Sequence, residues 1–185
     1  MNRNVKDLMV PISEYATINK GATLFEAVLA LEKAQENYDQ TKTQHRAVLI
    51  MDKNSKIVGK LGQLNVLRAL ESGNEPVKSV KDFDKYGFSR NFIAKLKEQS
   101  RLKGTTLKKM CLKPAAMKAE KFMETLSQSQ YVEEDTSLEV AFYQLLAGSY
   151  LSLLVVKNEE AVGVLRLTDI FRAVVDAMKE NKAKT

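Results

Sequence analysis

The sequence predicts a mixed α/β (α+β) fold in which one β-α-β-β-α unit occurs twice and the two copies pack as a pseudo-twofold pair. Three observations point there. The stretch "ATLFEAVLALE" from Ala22 has a partner in "TSLEVAFYQLLA" from Thr136, placing Leu24 on Leu138, Ala27 on Ala141 and Leu31 on Leu145. "IVGKLGQLNVLRAL" from Ile57 has a partner in "AVGVLRLTDIFRAV" from Ala161, with Gly59 on Gly163, Leu61 on Leu165, Asn65 on Asp169 and Arg68 on Arg172. Between them, at matching places, lie the apolar runs "AVLIM" from Ala47 and "LSLLVV" from Leu151. Continuous apolar character belongs to strands covered on both faces.

Each copy opens with "KDLM" ending at Met9 or "EKFM" ending at Met123, at the same 114-residue offset as the first helices. A short strand follows, around Thr17–Asn19 and around Tyr131–Glu133. The first helix starts near Thr23, with Leu24, Val28 and Leu31 at helical spacing. The polar stretch "KAQENYDQTKTQ" lengthens only the first copy and accounts for the downstream offset falling to 104. The apolar strand then leads through a polar hairpin, "DKNSK" or "KNEE", into a second strand and a final helix. A copy of about 65 residues buries little core alone, so the two are expected to form one body.

The predicted organisation is a first repeat over residues 1–72, a basic helical insert or linker over 73–118, and a second repeat over 119–185. The insert begins with the turn-rich "SGNEP". "SRNFIAKLKEQSRL" reads as a helix with Phe92, Ile93 and Leu96 on one face. "TTLKKMCLKPAAMKAEKFM" reads as a helix broken or kinked at Pro114, with Leu107, Met110 and Cys111 as packing residues.

The chain has 185 residues, 44% of them hydrophobic, enough for an ordinary core. Its net charge of +6 is uneven: +2 over residues 1–72, +8 over 73–121 and −4 over 122–185. The basic middle could attract nucleic acid, an acidic protein or a nucleotide's phosphates, although a solvated helical surface is the plainer reading. No apolar run is long enough for a membrane span, and no secretion signal is read at the N-terminus. One cysteine, Cys111, excludes an intramolecular disulfide and fits a reducing cytoplasm. One histidine, His45, far from Cys111 in sequence, argues against a structural zinc site. We find no nucleophile–base pair, phosphate-cradling glycine loop or metal cluster, so no catalytic residue is assigned and an enzyme is not expected.

The stretch "GVLRLTDIF", Gly163 to Phe171, joins a strand to a helix through Thr168 and Asp169. Thr is a good N-cap, and an acidic residue in the first turn suits the helix dipole, so both residues can serve the helix start alone. The twin "GKLGQLNVL" holds Asn65 at the same place. Read structurally, Arg166 reaches solvent from a sheet edge, Tyr150 covers core, and His45 is solvated at the end of the polar loop.

With these residues in view, the chain resembles a tandem pair of cystathionine-beta-synthase-type (CBS) domains, a Bateman module, standing alone. The family's signature is a glycine, two apolar residues, Ser or Thr, two variable residues and Asp. Gly163 to Asp169 match it except that Arg166 replaces the hydroxyl. Gly59 to Asn65 depart further, with Gly62 for the hydroxyl and Asn65 for Asp. The resemblance implies two clefts between the repeats that often hold adenosine-containing ligands: AMP, ADP, ATP or S-adenosylmethionine. It implies an aspartate receiving the ribose hydroxyls by charge-assisted hydrogen bonds.

Carried over, the second-repeat pocket would use Asp169 for ribose and Arg166, which stands where the family's phosphate-facing hydroxyl lies, for phosphate by charge, with Thr168 beside them. Tyr150 and Ser152 would lie before the apolar strand, and Thr136 and Ala141 on the first helix. The first-repeat equivalents are Asn65, Gly62, His45, Ala47, Ala22 and Ala27. The second site is expected to be the better one, because Asn65 carries no charge. The implied function is a regulatory module that senses an adenine nucleotide or other adenosyl ligand, requires no cofactor, forms a homodimer and signals to a separate effector protein. The basic stretch Pro76–Lys121 would be the contact surface. The alternative is a protein- or nucleic-acid-interaction scaffold with vestigial pockets.

Overall fold

The computed structural model describes residues 3–36, 45–72 and 106–182. The helix expected in "SRNFIAKLKEQSRL", the "SGNEP" turn and the end of "KAQENYDQTKTQ" lie outside those residues.

In the first repeat, strand β2 (Thr17–Asn19) leads to helix α1 (Leu24–Glu36), then β3 (Ala47–Met51), β4 (Ile57–Gly62) and α2 (Gln63–Ser72). In the second, β5 (Tyr131–Glu133) leads to α4 (Leu138–Gly148), β6 (Ser152–Lys157), β7 (Glu160–Arg166) and α5 (Leu167–Lys182). Helix α3 (Leu107–Ala115) lies between them, and a two-residue strand β1 (Val10–Pro11) precedes both. The doubled β-α-β-β-α order read from the sequence is the order of the fold.

The local chemistry explains the boundaries. Thr23 and Glu26 form a capping box at the start of α1: the Thr23 N–H donates to Glu26 Oε2 at 2.6 Å, and the Glu26 N–H to Thr23 Oγ1 at 3.2 Å. Ser137 Oγ accepts the Val140 N–H at the start of α4, and Ser149 ends that helix in the left-handed conformation at φ 51°. The hairpins turn on polar residues. Asp52 Oδ1 accepts the N–H groups of Asn54 and Lys56, while Asn158 and Glu159 take φ values of 49° and 67°, as a two-residue primed turn requires. Pro114 is buried in the last turn of α3, so it ends the helix rather than kinking it. Met110 and Cys111 are half-buried, but Leu107 is 70% exposed and is not the packing residue its apolar character suggested.

The sheets are built alike. β2 runs parallel to β3 and β3 antiparallel to β4; β5 runs parallel to β6 and β6 antiparallel to β7. Each antiparallel pair shifts register at the same place, between Ile50 and Met51 and between Val155 and Val156.

What the repeat pattern alone does not show is that each repeat lends its opening segment to the other. β1 pairs with β7, with Val10 opposite Val164 and Pro11 opposite Gly163. The mirror contact is Glu124 against Lys60, where the two residues exchange N–H···O bonds of 3.0 and 2.8 Å. Further upstream the Val5 N–H donates to Thr136 O at 2.9 Å and the Leu138 N–H to Arg3 O at 3.1 Å. Their counterparts, 114 positions away, are Ala119 N–H to Ala22 O at 2.9 Å and Leu24 N–H to Met117 O at 2.7 Å. The cores follow the exchange. Val5 is fully buried among Val132, Ala141, Leu145, Leu153, Val155, Leu165 and Ile170 of the second repeat. Ala119, with Phe122 and Met123 beside it, packs among Leu24, Ala27, Ile50, Leu61 and Ala69 of the first. Leu49, Ile57, Leu154 and Val164, joined by Val10 and Tyr15, form a third cluster that unites the two sheets.

Candidate functional site

The two strand-to-helix junctions are the polar places of this frame. Asp169 is the third residue of α5, and its Oδ2 accepts the N–H of Arg166, the residue before the helix, at 3.0 Å. Asn65 is the third residue of α2, and its Oδ1 accepts the Gly62 N–H at 3.0 Å. Each is one half of a capping box, so the helix-start role read from the sequence holds for both. Thr168 does not occupy the N-cap position. It lies on one face of α5 with Phe171, Arg172, Val175, Asp176 and Lys179.

Arg166 does not reach solvent. It is 8% exposed and folds back on Asp169. Its Nε donates to Oδ2 at 2.8 Å and its Nη2 to Oδ1 at 2.5 Å, so guanidinium and carboxylate meet fork to fork with both side chains about one-tenth exposed. Burial sets the cost of desolvating the two charges against the gain from this close, two-pronged geometry.

The groups bearing on this pair come partly from the other repeat. His45, before β3, is fully buried rather than solvated. Its ring meets Tyr15 edge-on, with centroids 4.6 Å apart. Its carbonyl accepts from Gln35 Nε2 at 2.5 Å, tying it to the end of α1. Burial holds its pKa below the usual value of 6.5; the Arg166 charge pushes the same way, while Asp169 and Glu14 oppose. Tyr150, the residue equivalent to His45, stands half-buried with its hydroxyl 2.6 Å from Ser129 Oγ. Hydrogen bonds to Ser129 and Ser127 lower its pKa, and the charges it feels include Glu124 and Lys60 of the crossing pair. Tyr15 and Ser129 are themselves 114 positions apart. The self-comparison, extended upstream, reaches both, but the residue types differ and give no match.

The remaining sequence-derived residues divide by depth. Ser152 pairs with Arg166, and Ala47 with Gly62, at the ends of the two hairpins; both are half-buried. Thr136 and Ala22 use their carbonyls to hold the exchanged segments. Ala141 and Ala27, 0% and 1% exposed, are core residues. The groups missed by sequence reading, Lys60, Glu124 and Gln130, form a second polar cluster, in which Gln130 Nε2 donates to Glu124 Oε1 at 2.9 Å and Lys60 Nζ lies 3.6 Å from the same oxygen. Among the described residues, no three His, Cys, Asp or Glu side chains gather to hold a metal ion, and no helix is long and apolar enough to cross a membrane.

The buried histidine gives a pH prediction. A pKa lowered on folding means that protonation favours the unfolded chain. Stability from this group is full above about pH 6.5 and is lost as the pH falls through the window below it, with a slope of up to about 1.4 kcal/mol per pH unit. Urea midpoints compared between neutral and mildly acidic pH should show the loss, and His45→Gln should flatten it. A midpoint that rises on acidification would contradict the sign.

Residues 122–176, which span the second repeat, match the family model of the CBS domain. A putative acetoin utilization protein (AcuB) from Vibrio cholerae superposes with a TM-score of 0.61 at 16% identity, over 99% of this chain and 98% of its own. CBSX2 in complex with AMP gives 0.57 at 17% identity, over 95% and 98%. The cytosolic domain of the Mg2+ channel MgtE in complex with ATP gives 0.55 at 15% identity, over 92% of this chain but 48% of its own. At such identities the likeness is one of fold. No curated protein sequence matches the chain.

Proposed function

We propose, for a chain that carries a CBS domain at residues 122–176 and has the fold of CBS-domain proteins, a role as a regulatory module that binds an adenosine-containing small molecule between its repeats. The observation behind this reading is the pair of strand-to-helix junctions, each ending in a polar side chain at the third helical position. At the second junction, Asp169 keeps the carboxylate that a ribose diol would use. Structures of the same fold in complex with AMP and with ATP add support.

Binding would act by favouring one arrangement of the halves over another, and only to the extent of its differential affinity for the two. The signal would pass to a separate effector protein. The described part of the insert offers a surface for it: on α3, Lys108, Lys109 and Lys113 are exposed beside Leu107 and Leu112 at 70% and 68%. The module would work as a homodimer. Phe25 and Leu29 on α1, Leu64 and Leu67 on α2, Tyr143 and Leu146 on α4, and Phe171 on α5 are all more than two-fifths exposed, and a second copy bearing the same faces would cover them. A mass near 20.8 kDa by light scattering would exclude the dimer.

A thermal-shift panel of AMP, ADP, ATP and S-adenosylmethionine tests the ligand. A compound at about a hundredfold excess over its dissociation constant adds about 2.7 kcal/mol, a clear rise in the unfolding midpoint. Asp169→Asn, which keeps an oxygen for the Arg166 N–H, should abolish the rise and leave the free protein folded. No shift with any compound at millimolar concentration would reject the sensing role and favour the interaction scaffold.

A further inference from the structure

Helix α3 packs against α1 and α2, with Pro114 buried and Met110 and Cys111 half-buried against them. Its outer face carries Leu112, 68% exposed. Lys108 and Lys109 lie one helical turn before Leu112 and Lys113 follows it, all three exposed, so the leucine stands as a knob inside a ring of cations. Among the described residues none of these lysines is paired with a carboxylate. From 106 to 121 the chain holds five Lys and one acidic residue, Glu120, whose Oε2 already accepts the Gly21 N–H at 2.6 Å. The positive charge around the knob is not neutralised from within this segment.

The two features together restrict the occupant. A nucleic-acid backbone would meet the lysines but gives an exposed leucine nothing apolar to bury against. A bilayer surface suits a helix that lays a broad apolar face into it, and the rest of the apolar side of α3 is turned into the fold. A protein surface answers both features: an apolar pocket takes Leu112, and carboxylates at its rim meet Lys108, Lys109 and Lys113.

We propose that α3 is the docking knob for an acidic protein partner, one that offers an apolar pocket rimmed by Asp and Glu side chains. This rests on the reading that the signal passes to a separate effector through α3, and not on which ligand is sensed. The division of labour follows from the chemistry. The lysines steer the encounter and make it sensitive to salt, whereas Leu112 supplies the contact that persists at high salt.

Fluorescence anisotropy of the labelled full chain tests this with four probes: a glutamate-rich copolymer with tyrosine, poly-L-glutamate, a short DNA duplex, and phosphatidylcholine vesicles containing phosphatidylserine. The wild type should bind the copolymer at least about fivefold more tightly than poly-L-glutamate, because only the copolymer brings apolar groups to Leu112. Leu112→Gln should remove that preference. Lys109→Glu with Lys113→Glu should weaken both polymers by about tenfold or more. All three positions are exposed, so the variants should fold, and any thermal shift given by adenine nucleotides should be the same in them as in the wild type. Docking and sensing are thereby read separately. Equal binding of the two polymers, binding of DNA or vesicles as tight as that of the copolymer, or affinities that ignore the substitutions would overturn the proposal.

Discussion

Removal of residues 1–9 is expected to unfold the second repeat, although the segment belongs to the first in sequence. Val5 is completely buried in the second repeat's core, and Leu8 and Met9 pack against it. Fully burying a side chain such as Val5 is worth about 1.5–3 kcal/mol, the half-buried Leu8 and Met9 add less, and the backbone bonds of Val5 to Thr136, Lys6 to Glu134 and Leu138 to Arg3 add about 1 kcal/mol apiece. The total reaches the lower part of the whole stability of an ordinary domain, about 5–15 kcal/mol. Hydrogen exchange should therefore show loss of protection in β6 and β7 of the shortened chain. Val5→Asp should reproduce it in full-length protein by placing a carboxylate where no partner exists. Lys6→Ala is the control: its bond to Asp135 is at the surface, and stability should hardly change. Full protection of β6 and β7 without residues 1–9 would show that the lent segment is dispensable.

The second large effect is expected from Gly163→Val. A Cβ at Gly163 would lie 2.6 Å from Met9 Sδ and 2.8 Å from Val10 O; at Gly59 it would lie 2.6 Å from Met123 Sδ and 2.9 Å from Glu124 O. A methionine tip can move aside. The carbonyl of Val10 can retreat only by breaking the pairing of β1 with β7. Neither glycine has a positive φ, so the need is for close approach and not for conformational freedom. Overpacking of this kind costs about 1–3 kcal/mol, and a branched side chain lies at the upper end. Gly163→Ala should be milder, and Met9→Ala should restore only part of the loss, because the carbonyl remains in the way. A chemical-denaturation series on these variants measures it. A neutral Gly163→Val would mean that the two segments part easily.

These two glycines mark where sequence reading succeeded and where it stopped. Both were visible as members of a repeated signature, and the elements around them, from β2 at Thr17–Asn19 to β5 at Tyr131–Glu133, were legible from apolar periodicity and turn residues. Their reason for being glycine was not, since it depends on Met9 and Met123, each held in the opposite repeat. Periodicity reports which face of an element is buried; it does not say which chain segment does the burying. The same limit applied at the site. Arg166 read as reaching solvent from a sheet edge, because the carboxylate that receives it lies three residues further on, beyond the strand's end. His45 read as solvated because the polar loop before it hides that Tyr15 covers it. Asp169 and Asn65 were legible as helix-start residues because capping is local chemistry, read over three or four positions.

The exchange of opening segments also bears on how the chain is made. Synthesis is vectorial, and Val10 leaves the ribosome far ahead of its partner Val164. At about 5–20 residues per second, its edge waits roughly 10–30 s for that partner to exist. The first repeat is likewise incomplete until Ala119 to Glu124 have emerged. Neither half can therefore close during translation before much of the other has been made, and the nascent chain carries Val5, Leu8 and Met9 uncovered until the second repeat has emerged.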